Sequence, residues 1–146
     1  MIEENKNYSD ALNEIKKTNP DINQVLSLLD ASIKEGCSEA EYALATWYLH
    51  GKYVEKNLSK GVKLLKSACD KRSANACYDL ANCYESGLGV GENLYEAFCL
   101  YVKAALYGDE QSIHEVGRCY YYGIGVKEDK GLSDIWLEKY ETLSSK

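Results

Sequence analysis

Apolar residues recur every three or four positions along most of the chain, which is the period of an α-helix. Ala40, Leu44 and Tyr48 are spaced four residues apart, so they share one face of a predicted helix. The same pattern returns at positions 76, 80 and 84. Glycine follows each of these segments, which indicates helices that end in tight turns.

The pattern repeats with a fixed step. Gly51, Gly87 and Gly123 are separated by 36 residues each, and a tyrosine stands three residues before every one of them. A period of this length is typical of stacked helix pairs. Because glycine adopts left-handed backbone angles with little strain, we expect the three glycines to end the first helix of each pair.

A second helix is predicted after each turn. Asn57, Asn93 and Asp129 stand at equivalent positions, and their side chains are good N-caps for the segments that follow. Those segments carry large apolar residues and alanines at helical spacing. Ala68 and Ala104 are small enough to let paired helices approach closely.

The amino-terminal region is a divergent copy of the same unit. Pro20 separates a predicted helix at about residues 8–18 from another at about residues 22–34. The sequence therefore predicts an all-α fold, an α-α superhelix (solenoid) of about four helix-turn-helix repeats. We divide this single repeat domain, 1–146, into an N-terminal pair at 1–36 and repeats at 37–72, 73–108 and 109–146.

The repeated residues carry a family resemblance. An Ala-x-x-x-Leu-Ala/Gly-x-x-Tyr-x-x-Gly-x-Gly-Val run, then Asn or Asp, then a helix with paired large residues and alanine, resembles the Sel1-like repeat. Residues 76–105 and 112–137 carry it well, whereas 1–36 match only in the second helix. In residues 40–69, Lys52 and Tyr53 replace the usual loop and glycine, so we expect that turn to be remodelled.

The resemblance implies a tetratricopeptide-like scaffold for protein–protein contacts, whose first helices line a concave groove. Positions between the packing residues would face a protein partner there. The set that this analogy selects is Tyr42, Thr46, Leu49, His50, Tyr78, Asn82, Glu85, His114, Arg118, Tyr121 and Tyr122.

Charge narrows the class of partner. Seventeen basic and 23 acidic side chains leave a net charge of −6, which opposes binding to nucleic acid or to an anionic membrane. The same charge favours a basic partner. The N-terminal residues are polar and no apolar run approaches the ~20 residues of a membrane span, so we expect a cytoplasmic protein, present as a monomer.

The six cysteines are interpreted first as reduced thiols, as cytoplasmic residence implies. Cys83 and Cys119 stand at equivalent positions and are expected to be buried small hydrophobes. The spacing of Cys69 and Cys77 resembles the disulfide staple of a cysteine-rich, secreted branch of the family. We expect these two to be neighbouring thiols that can be oxidised to a disulfide.

Catalytic chemistry finds little support. His50 and His114 are nearly two repeats apart, and neither has a Ser, Cys or carboxylate motif beside it. The glycine-rich turns lack the strand and lysine of a phosphate-binding loop. We therefore expect no catalytic residues, no cofactor and no bound metal.

Three functions remain. The first is a non-catalytic module that binds one dedicated protein, in its most specific version a bacterial immunity protein that neutralises a basic toxin or effector. The second is a regulatory or assembly adaptor in signalling or secretion. The third, which the cysteine-rich branch suggests, is a β-lactamase or penicillin-binding protein.

Overall fold

The computed structural model describes residues 4–146, and this part of the chain contains eight α-helices and no β-strand. The predicted all-α superhelix of helix pairs is confirmed. The helices are α1 (Lys6–Ile15), α2 (Ile22–Lys34), α3 (Ser38–His50), α4 (Leu58–Asp70), α5 (Ala74–Ser86), α6 (Leu94–Leu106), α7 (Glu110–Tyr122) and α8 (Lys130–Ser144).

Consecutive helices pair, α1 with α2 through α7 with α8, and each pair packs on the next. The caps follow the sequence pattern. The side chains of Asn57, Asn93 and Asp129 accept hydrogen bonds from backbone amides in the first turns of α4, α6 and α8. Gly51 and the equivalent Gly87 and Gly123 end α3, α5 and α7 with φ between 68° and 70°. Both predictions are confirmed. The first helix, however, covers Lys6–Ile15 and not residues 8–18.

The turn after α3 corrects one expectation. Tyr53 adopts φ 64°, beside 74° for Gly89 and 69° for Gly125, so the turn is kept rather than remodelled. A tyrosine in this left-handed conformation is strained. Its ring contacts Trp47 at a centroid distance of 4.7 Å, and Lys52 lies 5.2 Å from the ring, so aromatic and cation–π contacts offset the strain.

The core runs along the interface between first and second helices. Leu65 and Tyr101 are fully buried on α4 and α6, and Ala68 and Ala104 are fully buried as well. A smaller apolar cluster around Val25 and Leu29 joins the first two helices to α3. Each helix buries its apolar face against the other helix of its pair and against the next pair. The polar faces of α3, α5 and α7 are therefore left side by side.

Candidate protein-binding face

The first helices of the three repeats differ from the second helices in charge. Together, α3, α5 and α7 contain six carboxylates, one arginine and no lysine, a net charge of −5. By contrast, α4, α6 and α8 contain six lysines and five carboxylates, a net charge of +1. Acidic groups are therefore concentrated in the first helices, although one of them, Glu41, is buried and paired with Lys71.

Part of this acidic set forms a surface that we name the first-helix face. It consists of polar side chains on α3, α5 and α7, most of which form hydrogen bonds between these helices or with Tyr101 of α6. Its members are Tyr42, Thr46, Tyr78, Asp79, Asn82, Glu85, Glu115 and Arg118.

A hydrogen bond connects the first two helices of this face. The Tyr42 hydroxyl on α3 donates to Oδ2 of Asp79 on α5 at 2.6 Å. Burial raises the pKa of the Asp79 carboxyl above its ordinary value, although the hydrogen bond from Tyr42 opposes the shift. Burial and the same hydrogen bond raise the pKa of Tyr42, so the hydroxyl remains a donor.

Arg118 connects the next two helices. Its Nη2 donates to Oε2 of Glu85 on α5 at 2.9 Å, and its Nε donates to Oε2 of Glu115 on α7 at 2.6 Å. Burial alone would lower the pKa of Arg118, but its hydrogen bonds with Glu115 and Glu85 outweigh that effect and raise it. One guanidinium thus satisfies two carboxylates and fixes the orientation of both.

A residue of a second helix also takes part in this hydrogen-bond network. Tyr101 on α6 is fully buried, and its hydroxyl lies 2.7 Å from both Oε2 of Glu85 and Oδ1 of Asn82. A hydroxyl has one proton to donate, and the charged Glu85 is the stronger acceptor. Burial, followed by the bond with Glu85, raises the pKa of Tyr101. Glu85 is therefore held from two sides.

The other predicted groove residues are distributed less evenly. The Thr46 hydroxyl donates to the carbonyl of Ala43, Tyr78 is half-buried with its ring edge on Tyr101, and His50 is exposed at the end of α3. His114 contacts the Tyr140 ring of α8 at a centroid distance of 5.1 Å. Part of its side chain therefore packs within the last helix pair.

Tyr121 and Tyr122 lie at the far end of α7 and remain exposed, at 41% and 67% of their surface. Their rings contact each other, and Lys130 lies 4.5 Å from the Tyr121 ring. Both residues are open to a partner, but neither belongs to the hydrogen-bonded network around Arg118.

Leu49 is a correction to the predicted groove. It is 9% exposed and belongs to the core, where it packs into the space that Gly61 leaves on α4. A Cβ on Gly61 would lie 2.7 Å from Cγ of Leu49. Because position 61 has no side chain, Leu49 packs inward and only a small part of its side chain reaches the surface.

Sequence reasoning missed the position that organises the face. Asp79 and Glu115 are 36 residues apart, so they stand at one repeat position, but the third copy of that position is Ala43. Comparison of only the last two repeats would have found a conserved carboxylate in each. Tyr101 was missed because it belongs to a second helix, whose residues were assigned to packing alone.

The cysteines divide into two groups. A disulfide bond joins Cys69 at the end of α4 to Cys77 on α5, so the interpretation of all six cysteines as thiols does not hold. The other four are free. Cys83 and Cys119 are buried, as predicted, and burial raises the pKa of Cys119 to about 11. Among residues 4–146, no cluster of three or more His, Cys, Asp or Glu side chains is arranged to hold a metal ion.

The geometry defines a class of protein: a solenoid of helix pairs with a polar, aromatic face along its first helices. The Sel1 repeat model matches residues 38–73, 74–109 and 111–139. The chain therefore belongs to the Sel1 repeat family, whose fold is generally a protein–protein interaction module. No curated protein matches the chain.

Solved structures share the fold. A protective antigen present in uropathogenic Escherichia coli strains, displaying an SLR fold, aligns with a TM-score of 0.87 at 24% identity over 94% of this chain and 30% of its own. A Sel1 repeat protein from Oxalobacter formigenes gives 0.85 at 23% identity, over 92% of this chain and 56% of its own. Helicobacter pylori cysteine rich protein B gives 0.64 at 24% identity, over 70% and 77%.

The chain thus spans less than two thirds of the first two structures that it resembles. At these identities the likeness shows the fold alone. No helix within residues 4–146 has both the length and the apolar character that a membrane crossing requires.

Proposed function

We propose that this chain binds a basic segment of one dedicated protein partner along the first-helix face. The observation that carries the proposal is the separation of charge: the first-helix face has a net charge of −2 from Asp79, Glu85, Glu115 and Arg118, and the helices that build it, α3, α5 and α7, carry −5 against +1 on α4, α6 and α8. A surface of this sign attracts a basic partner and speeds its association.

The chemistry of the face suits such a segment. Tyr42 and Tyr78 supply aromatic surface, which is enriched at the energetic centres of interfaces and attracts cations. The hydrogen bonds around Asp79 and Arg118 hold the carboxylates in place before binding, which lowers the entropy lost on association. The face therefore presents one carboxylate without a cationic partner, Asp79, in a fixed position, while Glu85 and Glu115 are already paired with Arg118.

Site-specific crosslinking tests the proposal. A photoreactive phenylalanine analogue is placed at Thr46 or Asn82 on the first-helix face and, as a matched control, at the exposed Lys63 on α4. We expect a basic partner to crosslink from Thr46 and Asn82 and not from Lys63. Crosslinks from Lys63 alone, or a captured segment that is acidic, would contradict the proposal.

In the most specific version of this proposal, the partner is a basic toxin or effector that the chain neutralises as a bacterial immunity protein. The net charge of −6 and the acidic first helices support it, because many inhibitors reach their targets by charge complementarity. Expression of the captured partner in cells with and without this chain tests it. Protection from growth arrest is expected; a harmless partner would instead favour the adaptor function.

A further inference from the structure

A second feature of this region is a cavity of about 300 Å³ where the end of α3, the start of α4 and the turn after α5 meet. Leu49, Leu58 and Leu88 form its apolar walls, and Asp79 lines it on the α5 side. Leu88 is 44% exposed, an open apolar surface in a turn held between two glycines.

Asp79, which lines this cavity, has an unused acceptor atom. Its Oδ2 accepts the hydrogen bond from Tyr42, whereas Oδ1 receives no hydrogen bond or ion pair from any residue between 4 and 146. A half-buried carboxylate with a free oxygen gains from a cationic partner, because its attraction to an opposite charge is less screened than on an open surface. Burial has already raised the pKa of this carboxyl, so a bound cation would relieve that penalty.

We propose that the cavity receives a lysine side chain of the basic segment, with the ammonium group on Oδ1 of Asp79 and the methylene groups against Leu49, Leu58 and Leu88. The inference rests on the proposed function and deepens it. Lysine places apolar methylenes along such walls while its charged end reaches a polar group. An ammonium group needs only Oδ1 of Asp79, whereas arginine pairs best with both oxygens of a carboxylate.

Two further groups line the same cavity, and one of them provides a control variant with the opposite expected effect on lysine binding. Lys56 and His50 both reach its wall, and both residues are exposed. Lys56 carries a positive charge that repels an incoming ammonium group. Because Lys56 is exposed and Asp79 is half-buried, water screens the charge of Lys56 more strongly than that of Asp79. Removal of the Lys56 charge should therefore strengthen lysine binding, while removal of the Asp79 charge should weaken it.

The test uses small probes and methyl-labelled leucines. N-acetyl-lysine methylamide is titrated into the full chain, and its norleucine analogue, which lacks the ammonium group, is the matched probe. We expect the lysine probe to shift the methyl signals of Leu49, Leu58 and Leu88 at least several-fold more than the norleucine probe does. Asp79→Asn, which keeps an acceptor for Tyr42, should abolish the difference, and Lys56→Ala should increase it.

The outcomes separate this inference from the proposed function. Equal shifts from the two probes, or shifts unchanged in Asp79→Asn, would overturn the lysine pocket. If the captured basic partner still crosslinks from Asn82 in that case, binding along the first-helix face stands without the pocket. If the lysine probe binds as expected while no basic partner crosslinks to the face, the pocket stands and the proposed function fails.

Discussion

The hydroxyl of Tyr42 on α3 donates a 2.6 Å hydrogen bond to the carboxylate of Asp79, which lies 37 residues away on α5. The bond crosses from one repeat to the next. Asp79 also lines the cavity whose walls include Leu88. The hydrogen bond therefore both links two repeats and positions a carboxylate of the candidate binding surface.

Replacement of Tyr42 by Phe should lower the free energy of unfolding by about 1–2 kcal/mol at pH 7, since a partly buried carboxylate loses its donor. The hydrogen bond favours the charged carboxyl, so its loss raises the pKa of Asp79 further. The destabilisation should shrink as the pH falls and Asp79 becomes neutral. Urea unfolding at pH 7 and pH 4 measures both values. An equal loss at the two pH values would show that the effect comes from packing alone.

Replacement of Asp79 by Asn should change the pH dependence of stability. The pKa of Asp79 in the folded chain is above its ordinary value of 3.8, so the native state binds more protons in that window and stability falls as the pH rises through it. The Asn variant should therefore gain stability relative to the parent at pH 7 and show no gain at pH 3. A gain that is independent of pH would contradict this sign.

Replacement of Arg118 by Met should have opposite effects on stability and on binding. Glu85 and Glu115 lose their shared cation, which we expect to cost about 2 kcal/mol, between the values for exposed and buried ion pairs. The first-helix face becomes more acidic, so a basic partner should bind more tightly and with a steeper salt dependence. The double variant with Glu115→Gln should recover part of the stability. Weaker binding would show that Arg118 itself contacts the partner.

The sequence predicted the parts of this molecule that depend on local chemistry. Gly51 and Asn57 show why: the first tolerates left-handed angles and the second caps a helix, so each carries its structure wherever it stands. Leu49 was misplaced because its burial depends on Gly61 of another helix. Tyr53 departs from the glycine pattern but keeps the turn, because its contact with Trp47 offsets the backbone strain. Repeat spacing does not reveal that contact.

The binding face was only half predictable for the same reason. Arg118 and Glu85 were selected from helical position, but the hydrogen bonds that link them depend on how far apart α5 and α7 stack. Asp79 was not predicted because the analogy selected the neighbouring positions Tyr78 and Asn82 in that repeat. A repeat pattern identifies what all copies share, whereas a binding surface is built from the positions where the copies differ.

Replacement of Gly125 by Ala should be far more damaging than the same change at Gly36. Both glycines have positive φ, 69° and 89°, so both variants carry backbone strain of about 1–2 kcal/mol. A methyl group at position 125 would also overlap the backbone carbonyl of Leu94 at the start of α6, whereas nothing lies within 4 Å of one at position 36. We expect a loss of about 3–5 kcal/mol at position 125. Similar losses in thermal unfolding would rule out the contact with α6.

The disulfide between Cys69 and Cys77 should hold the second repeat to the first. Its two residues are separated by 8 positions, and the chain-entropy relation gives about 2–3 kcal/mol for a loop of that size. The variant with both cysteines replaced by serine should therefore melt about 5–10 °C lower than the oxidised chain. Denatured, unreduced protein should react with four equivalents of a thiol reagent, through Cys37, Cys83, Cys99 and Cys119, and with six after reduction. Six equivalents without reductant, together with an unchanged melting temperature in the double variant, would show that the pair remains as thiols in solution.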